Sequence, residues 1–327
     1  MKKIIGVLFT LMLLLNWAAA EEELVLEQTP VKPIMRVVND GRLIADASDF
    51  TNDRMEERIN GFNTAIDALG KKRPPVYMYL VETSYSHQMA NTFDEDSPGY
   101  LYLKDNLHAD VFDHLKYTTY REFCEYFYTT DHHWNYKGSY QGYKDIVRML
   151  LGEQEELLEP AEEIVTDVCF NGSFAHQLDT PNSTERFTFY RFDPMPQYKC
   201  FNSVQNFKRN RSVRYNHVED YLKGKIKESP YMNHYGLCYG GDYGILIFTS
   251  EGHKDRSLLI IGNSYSNPIK TMLTHHYSTI VYVDLRHYKD RTGEDFSLKS
   301  MVKRFGTKQI LLLGDVQMFT LGDAPQP

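Results

Sequence analysis

Asp131, His132, His133 and Trp134 stand side by side in the stretch TDHHWNYKGSY. An acid beside two imidazoles can be a metal site, the acid–base half of a hydrolytic triad, or a polar turn. Residues two apart in an extended or turning loop face the same side. Asp131 can therefore bond one ring nitrogen of His133 and leave the other for a nucleophile. Such a carboxylate fixes the imidazole tautomer and stabilises the imidazolium. His132, between them, would point elsewhere. Trp134 is a candidate either to lock the loop beneath a site or simply to fill core. A zinc site needs three or four ligands. The chain offers no HxH or HExxH partner, and its other histidines, His275 and His276 included, are scattered. No metal and no other cofactor is expected.

A base of this kind needs a nucleophile. The stretch LLIIGNSYSNPIK supplies one. Its apolar run reads as a buried strand that ends at Gly262-Asn263-Ser264. Asn267 can cap a following helix, and Pro268 suits a first helical position. Ser264 then sits at the carboxyl end of a strand, where open α/β sheets bind ligands. Backbone N–H groups at such a turn can hold a developing oxyanion. Ser266 is the weaker candidate and reads as a cap.

The elements around these residues predict an α/β fold. Met55, Ile59, Phe62, Ile66 and Leu69 have helical spacing from about Asp49, and Gly70 is placed to end that helix. A strand follows at about Val76–Val81. After the histidine run, a helix is expected from Gly138 to near Gly152. SLLIIGN, with its strand at 257–262, TIVYVDL (279–285) and QILLLGD (309–315) read as buried strands. Helices are expected between them, at 268–274 and 298–305. Short apolar strands alternating with helices predict a parallel sheet covered on both faces. Residues 21–45 read as a lead-in segment. Residues 46–323 read as a single domain, with a large Tyr- and Asn-rich insertion at about 153–245 that holds short strands such as RFTFYRF and GILIFTS.

Composition narrows the partners. The chain of 327 residues carries a formal charge of −8, a poor match to nucleic acid. Its local exception, Lys208-Arg209-Asn210-Arg211 with Arg214, reads as a solvated loop. Lys2 and Lys3, the apolar run Ile4–Leu15 and the small residues Ala18–Ala20 have the layout of a secretory signal peptide over residues 1–20. An extracytoplasmic location is therefore expected. There Cys124, Cys169, Cys200 and Cys238 are free to form disulfides, in any of three complete pairings.

The DHHW run at 131–134, GGDYGILIFTS at 240–250, LLIIGNSYSNP at 258–268, YVDLRHY at 282–288 and LLLGDVQMF at 311–319 together resemble the DHHW protein family. That family looks like a branch of the SGNH hydrolases, near the alginate O-acetylation proteins. The resemblance covers about residues 45–320. It implies a three-layer α/β/α, flavodoxin-like parallel sheet. The motif order is circularly permuted, with the Asp-x-His block ahead of the serine. It also implies Ser264 as nucleophile, His133 as general base and Asp131 as its orienter. Beside the Ser264 N–H, the candidates for oxyanion or substrate contacts are Gly241, Arg286, Gln317 and Trp134. For Arg286 a plain salt bridge is the competing reading. Many relatives carry Asp where this chain has Asn263. The implied activity is O-acetyl transfer to, or acetyl ester hydrolysis on, a cell-surface polysaccharide, with a membrane-bound acyltransferase as acetyl donor. The alternative is a non-catalytic glycan-binding or assembly protein that keeps the fold.

Overall fold

A computed structural model of the chain describes residues 24–45, 53–85, 96–224, 229–251 and 253–326. The expected signal peptide at 1–20 lies outside them. No helix among the described residues is long and apolar enough to cross a membrane.

Among the described residues, twelve strands form three sheets. The central sheet has seven, in the order Val111–His114, Val76–Leu80, Gln309–Gly314, Ser257–Gly262, Thr279–Val283, Ile245–Ser250 and Tyr198–Phe201. These are β4 (Val76–Leu80), β5 (Val111–His114), β8 (Tyr198–Phe201), β9 (Ile245–Ser250), β10 (Ser257–Gly262), β11 (Thr279–Val283) and β12 (Gln309–Gly314). Pairing is parallel from β5 through β11. It is antiparallel where β9 joins β11 and β8 joins β9. The expected sheet is therefore mostly parallel, with an antiparallel edge.

Residues on successive positions of each strand point to opposite faces. Leu258 and Ile260, Leu311 and Leu313 enter one buried cluster, with Trp134, Tyr143, Ile146 and Val147. Leu259 and Ile261, Ile310 and Leu312 enter the other, with Met55, Ile59, Phe62 and Ile66. A strand buried on both faces must be apolar throughout, which is why β10 and β12 read as unbroken hydrophobic runs. The Asp53–Asp67 helix covers the second face with the stripe its spacing predicts.

Four expectations change. The stretch 268–274 is no α-helix; 3₁₀ turns at Ser264–Ser266 and Met272–His275 take its place. Ser266 Oγ donates to Asn263 O and Thr274 Oγ1 to Thr271 O, at 2.6 Å each. These bonds offer the backbone local alternatives to an α-helix. The helix after the histidine run starts at Tyr136, ahead of Gly138, because Asn135 caps it. Residues 24–45 form a three-stranded antiparallel sheet of β1 (Leu26–Gln28), β2 (Ile34–Val37) and β3 (Leu43–Ala45) that packs on the body. The region 153–245 contributes β8 to the central sheet, besides the separate hairpin of β6 (Glu162–Cys169) and β7 (Arg186–Arg191). All four cysteines are free thiols.

Candidate active site

The histidine run is a tight loop between two helices. Thr119 caps the first, Tyr120–Tyr126, and Asn135 caps the second, Tyr136–Leu151. A bridge between Phe127 and Trp134 pinches the loop shut. Arg42, just ahead of β3, braces it from outside, its Nη1 donating to Phe127 O at 3.0 Å and Tyr128 O at 2.8 Å. Trp134 is wholly buried beneath. Its ring lies so close to Gly142 that a Cβ there would come within 2.4 Å of it. Trp134 is thus a packing residue of the loop's floor, with no surface to offer a ligand.

Asp131 is buried, and both its oxygens are engaged. Oδ1 accepts from the His133 backbone N–H at 2.9 Å and meets His133 Nδ1 at 2.6 Å. Oδ2 accepts from the Ser173 N–H at 2.7 Å. Gly172 makes this approach possible, since a Cβ there would stand 2.2 Å from Asp131 Cβ. Burial alone would raise the Asp131 carboxyl. The charges of His133 and His132 and the hydrogen bonds override that and hold it well below the usual carboxylate range.

Ser264 arrives from the end of β10. Its Oγ lies 2.8 Å from His133 Nε2. With the Nδ1 proton assigned toward the Asp131 carboxylate, Nε2 is left as the acceptor facing Ser264. The Ser264 N–H has no hydrogen-bond partner among the described residues and stays free for an oxyanion. The sheet's order reverses here: the chain leaves β10 for β11 on one side, while β12 lies on the other. Such switch points are where open α/β sheets place their ligands.

The structure therefore joins Asp131, His133 and Ser264 in one hydrogen-bonded line. The other sequence candidates stand apart from it. Arg286 is spent on Asp284 at 2.6 Å and Asp242 at 3.1 Å, the salt-bridge reading. Gly241 is exposed, with nothing within 4 Å of where a Cβ would stand. Gln317 lies in the 3₁₀ turn after β12, where its side chain bonds Tyr85.

Three residues that sequence reasoning passed over complete the site. Tyr235 lies against the His133 ring and donates to Ser264 O at 3.0 Å. Tyr265 donates to His132 O at 2.7 Å. Ser173 carries the N–H that holds Asp131. The tyrosines had no local signal. The turn dipeptide Asn171-Gly172 did mark a bend just before Ser173.

Asp131, His132 and His133 also bring ligand atoms within 4.8 Å of one another, a metal-sized grouping. Both ring nitrogens of His133 are already committed, and His132 Nδ1 is 2.6 Å from Ser173 Oγ. Burial, then the His133 charge, lowers the His132 imidazole to about 4, so it is neutral near pH 7. A cavity of about 360 Å³ opens beside the turn that carries Ser264, lined by Tyr190, Phe192, His217, Tyr239, Asn267 and Pro268 among others.

No protein-family model matches the chain, and no curated protein matches its sequence. Solved structures do share its fold. A DHHW family protein from Eubacterium siraeum superposes with a TM-score of 0.65 at 18% identity, over 90% of this chain and 94% of that one. Bacillus cereus PatB1 gives 0.64 at 16% identity, over 91% and 98%. PatB1 with a sulfonyl adduct gives 0.63 at 15% identity, over 92% and 100%. The chain thus has the fold of the DHHW family protein and of PatB1, and Asp131-His132-His133-Trp134 spells that family's name.

Proposed function

We propose that this protein is an extracytoplasmic serine O-acetyltransferase or acetylesterase that works on a cell-surface polysaccharide. The observation that carries the reading is the line Asp131–His133–Ser264, with separations of 2.6 and 2.8 Å. Ser264 Oγ attacks the carbonyl carbon of an acetyl ester while His133 Nε2 takes its proton. The Ser264 N–H stabilises the oxyanion. Collapse breaks the ester C–O bond, and His133 returns the proton to the leaving alcohol. Acetyl-Ser264 remains. A second hydroxyl then attacks, gives its proton to His133, and carries the acetyl group away as Ser264 is reprotonated. A sugar hydroxyl as acceptor makes the protein a transferase; water makes it an esterase.

The resemblance of the five sequence stretches supports acetyl chemistry in the swapped motif order. The SGNH-like three-layer assignment rests on the same resemblance. The sulfonyl adduct described for PatB1 fits a fold that presents a reactive nucleophile. The aromatic-lined cavity beside the turn suits the faces of sugar rings. An extracytoplasmic protein has no access to cytosolic acetyl-CoA. A membrane-bound acyltransferase is the donor this location calls for.

The test uses residues 21–327 and p-nitrophenyl acetate, with turnover and intact mass recorded for wild type and Ser264→Ala. Turnover and a transient acetyl adduct that both vanish with Ser264 are expected. Equal rates in the two proteins, with no adduct, would sink the triad and favour the glycan-binding alternative.

A further inference from the structure

Asp315 is a buried acid that the reaction above does not use. It follows β12, the strand beside β10, and lies next to the nucleophile turn. Its Oδ1 accepts from Asn263 Nδ2 at 2.9 Å. Its Oδ2 is buried with no hydrogen-bond partner among the described residues. Asn263 is the hub of the turn. Its Oδ1 accepts from the Tyr265 N–H at 3.3 Å, and its carbonyl accepts from Ser266 Oγ at 2.6 Å. An amide has one donor end and one acceptor end. With the donor end tied to Asp315, the acceptor end must face Tyr265.

We propose that Asp315 is a positioning residue for the nucleophile turn, acting through Asn263. The residue before the serine is an amide, and its acid partner comes from the neighbouring strand. This inference rests on the reading of Ser264 as nucleophile. The amide at the end of β10 and the acid at the end of β12 face each other across the boundary between the two strands. A carboxylate at both positions would put two like charges at hydrogen-bond distance in a buried crevice, where both cannot stay ionised. Burial already pushes the Asp315 carboxyl up to about 6, against the Asn263 hydrogen bond and the charges of Arg286 and His133. Tyr85 and Tyr265 are the other titratable groups that face it.

The test is the rate at which phenylmethanesulfonyl fluoride labels Ser264 at pH 7.5, read by intact mass, with a thermal melt of each variant. Asn263→Asp should label roughly tenfold or more slowly, because a small displacement of a nucleophile is costly. The exchange variant Asn263→Asp/Asp315→Asn restores one acid and one amide and should recover most of the wild-type rate. Wild-type labelling by Asn263→Asp, or an exchange variant no faster than Asn263→Asp, overturns the inference. Should Asn263→Asp fail to fold, Asp315→Ala takes its place: slow labelling of the folded variant supports the role, and an unchanged rate overturns it. A wild-type chain that takes no sulfonyl group sinks the nucleophile reading and this inference with it. Wild-type labelling with an indifferent Asn263→Asp sinks the inference alone.

Discussion

The His133 imidazole lies flat against the Tyr235 ring, with centroids 4.0 Å apart and planes 16° from parallel. The same tyrosine donates its hydroxyl to Ser264 O at 3.0 Å. One side chain thus holds the proposed base, His133, by its face and the proposed nucleophile, Ser264, by its backbone. Removing the hydroxyl and removing the ring should have separable effects. Tyr235→Phe keeps the stack and should lower turnover of p-nitrophenyl acetate only a few-fold, about the value of one hydrogen bond. Tyr235→Leu loses both and should cost roughly tenfold or more. Equal rates for the two variants would assign the whole effect to the hydroxyl.

The two histidines of the run should behave differently. His133 touches Ser264 and Asp131, whereas His132 meets Ser173 and packs its ring against that of His133, with no hydrogen bond to Ser264. The His132 imidazole is lowered to about 4, so it carries no charge at neutral pH. His133→Gln should remove nearly all turnover, roughly 10⁴-fold. His132→Gln should cost only a few-fold. Comparable losses in the two variants would point to a shared ligand instead, and treatment of wild type with a chelator would then abolish activity.

How much of this was legible in the sequence follows from the range of each interaction. Asp131, His133 and Ser264 could be read because a triad needs those residue types, and because β10 ends visibly at Gly262. Burial on both faces wrote β10, β11 and β12 as continuous apolar runs. The 24–45 sheet was not legible. Its strands have three or four residues, too few for an alternation to register. Tyr235 was hidden because its role is purely tertiary: nothing near residue 235 says that its ring will meet residue 133. Arg286 and Gln317 are site candidates by chemical type alone, but the folded chain sets their partners, Asp284, Asp242 and Tyr85.

Asp131 and Asp315 should impose opposite pH dependences on stability. The Asp131 carboxyl is held below its unfolded value of about 3.9. Its contribution is present above that pH and is lost on acidification. Asp315 is raised to about 6. Its favourable contribution is present below about 4 and is lost as pH rises through about 6. Asp315→Asn removes this second dependence. Relative to wild type, the variant should therefore gain on the order of 3 kcal/mol between pH 4 and pH 7. Urea unfolding of both proteins at the two pH values measures it. Parallel profiles would mean that Asp315 titrates alike in the folded and unfolded chains.

Gly172→Ala tests the support of the proposed orienting acid while leaving Asp131, His133 and Ser264 themselves unsubstituted. The added Cβ would stand 2.2 Å from Asp131 Cβ and 2.7 Å from Asp131 Cα, both closer than carbon atoms approach. These neighbours are backbone or next to it, so no flexible tip can swing away. Either Asp131 or the Gly172-Ser173 turn must shift, and the Ser173 N–H to Asp131 Oδ2 bond breaks or stretches. The carboxylate then loses a donor that favours its ionised form, and His133 loses its fixed orientation. Activity should fall roughly 10²-fold. Stability should fall by about 1–3 kcal/mol, the usual cost of overpacking. The comparison variant is Gly152→Ala, remote from the site. Gly152 has a positive φ of 93° and open space around it, so strain there should lower stability and leave turnover intact. A Gly172→Ala protein that keeps wild-type turnover would show that the Asp131 contact to the Ser173 turn does not position the base.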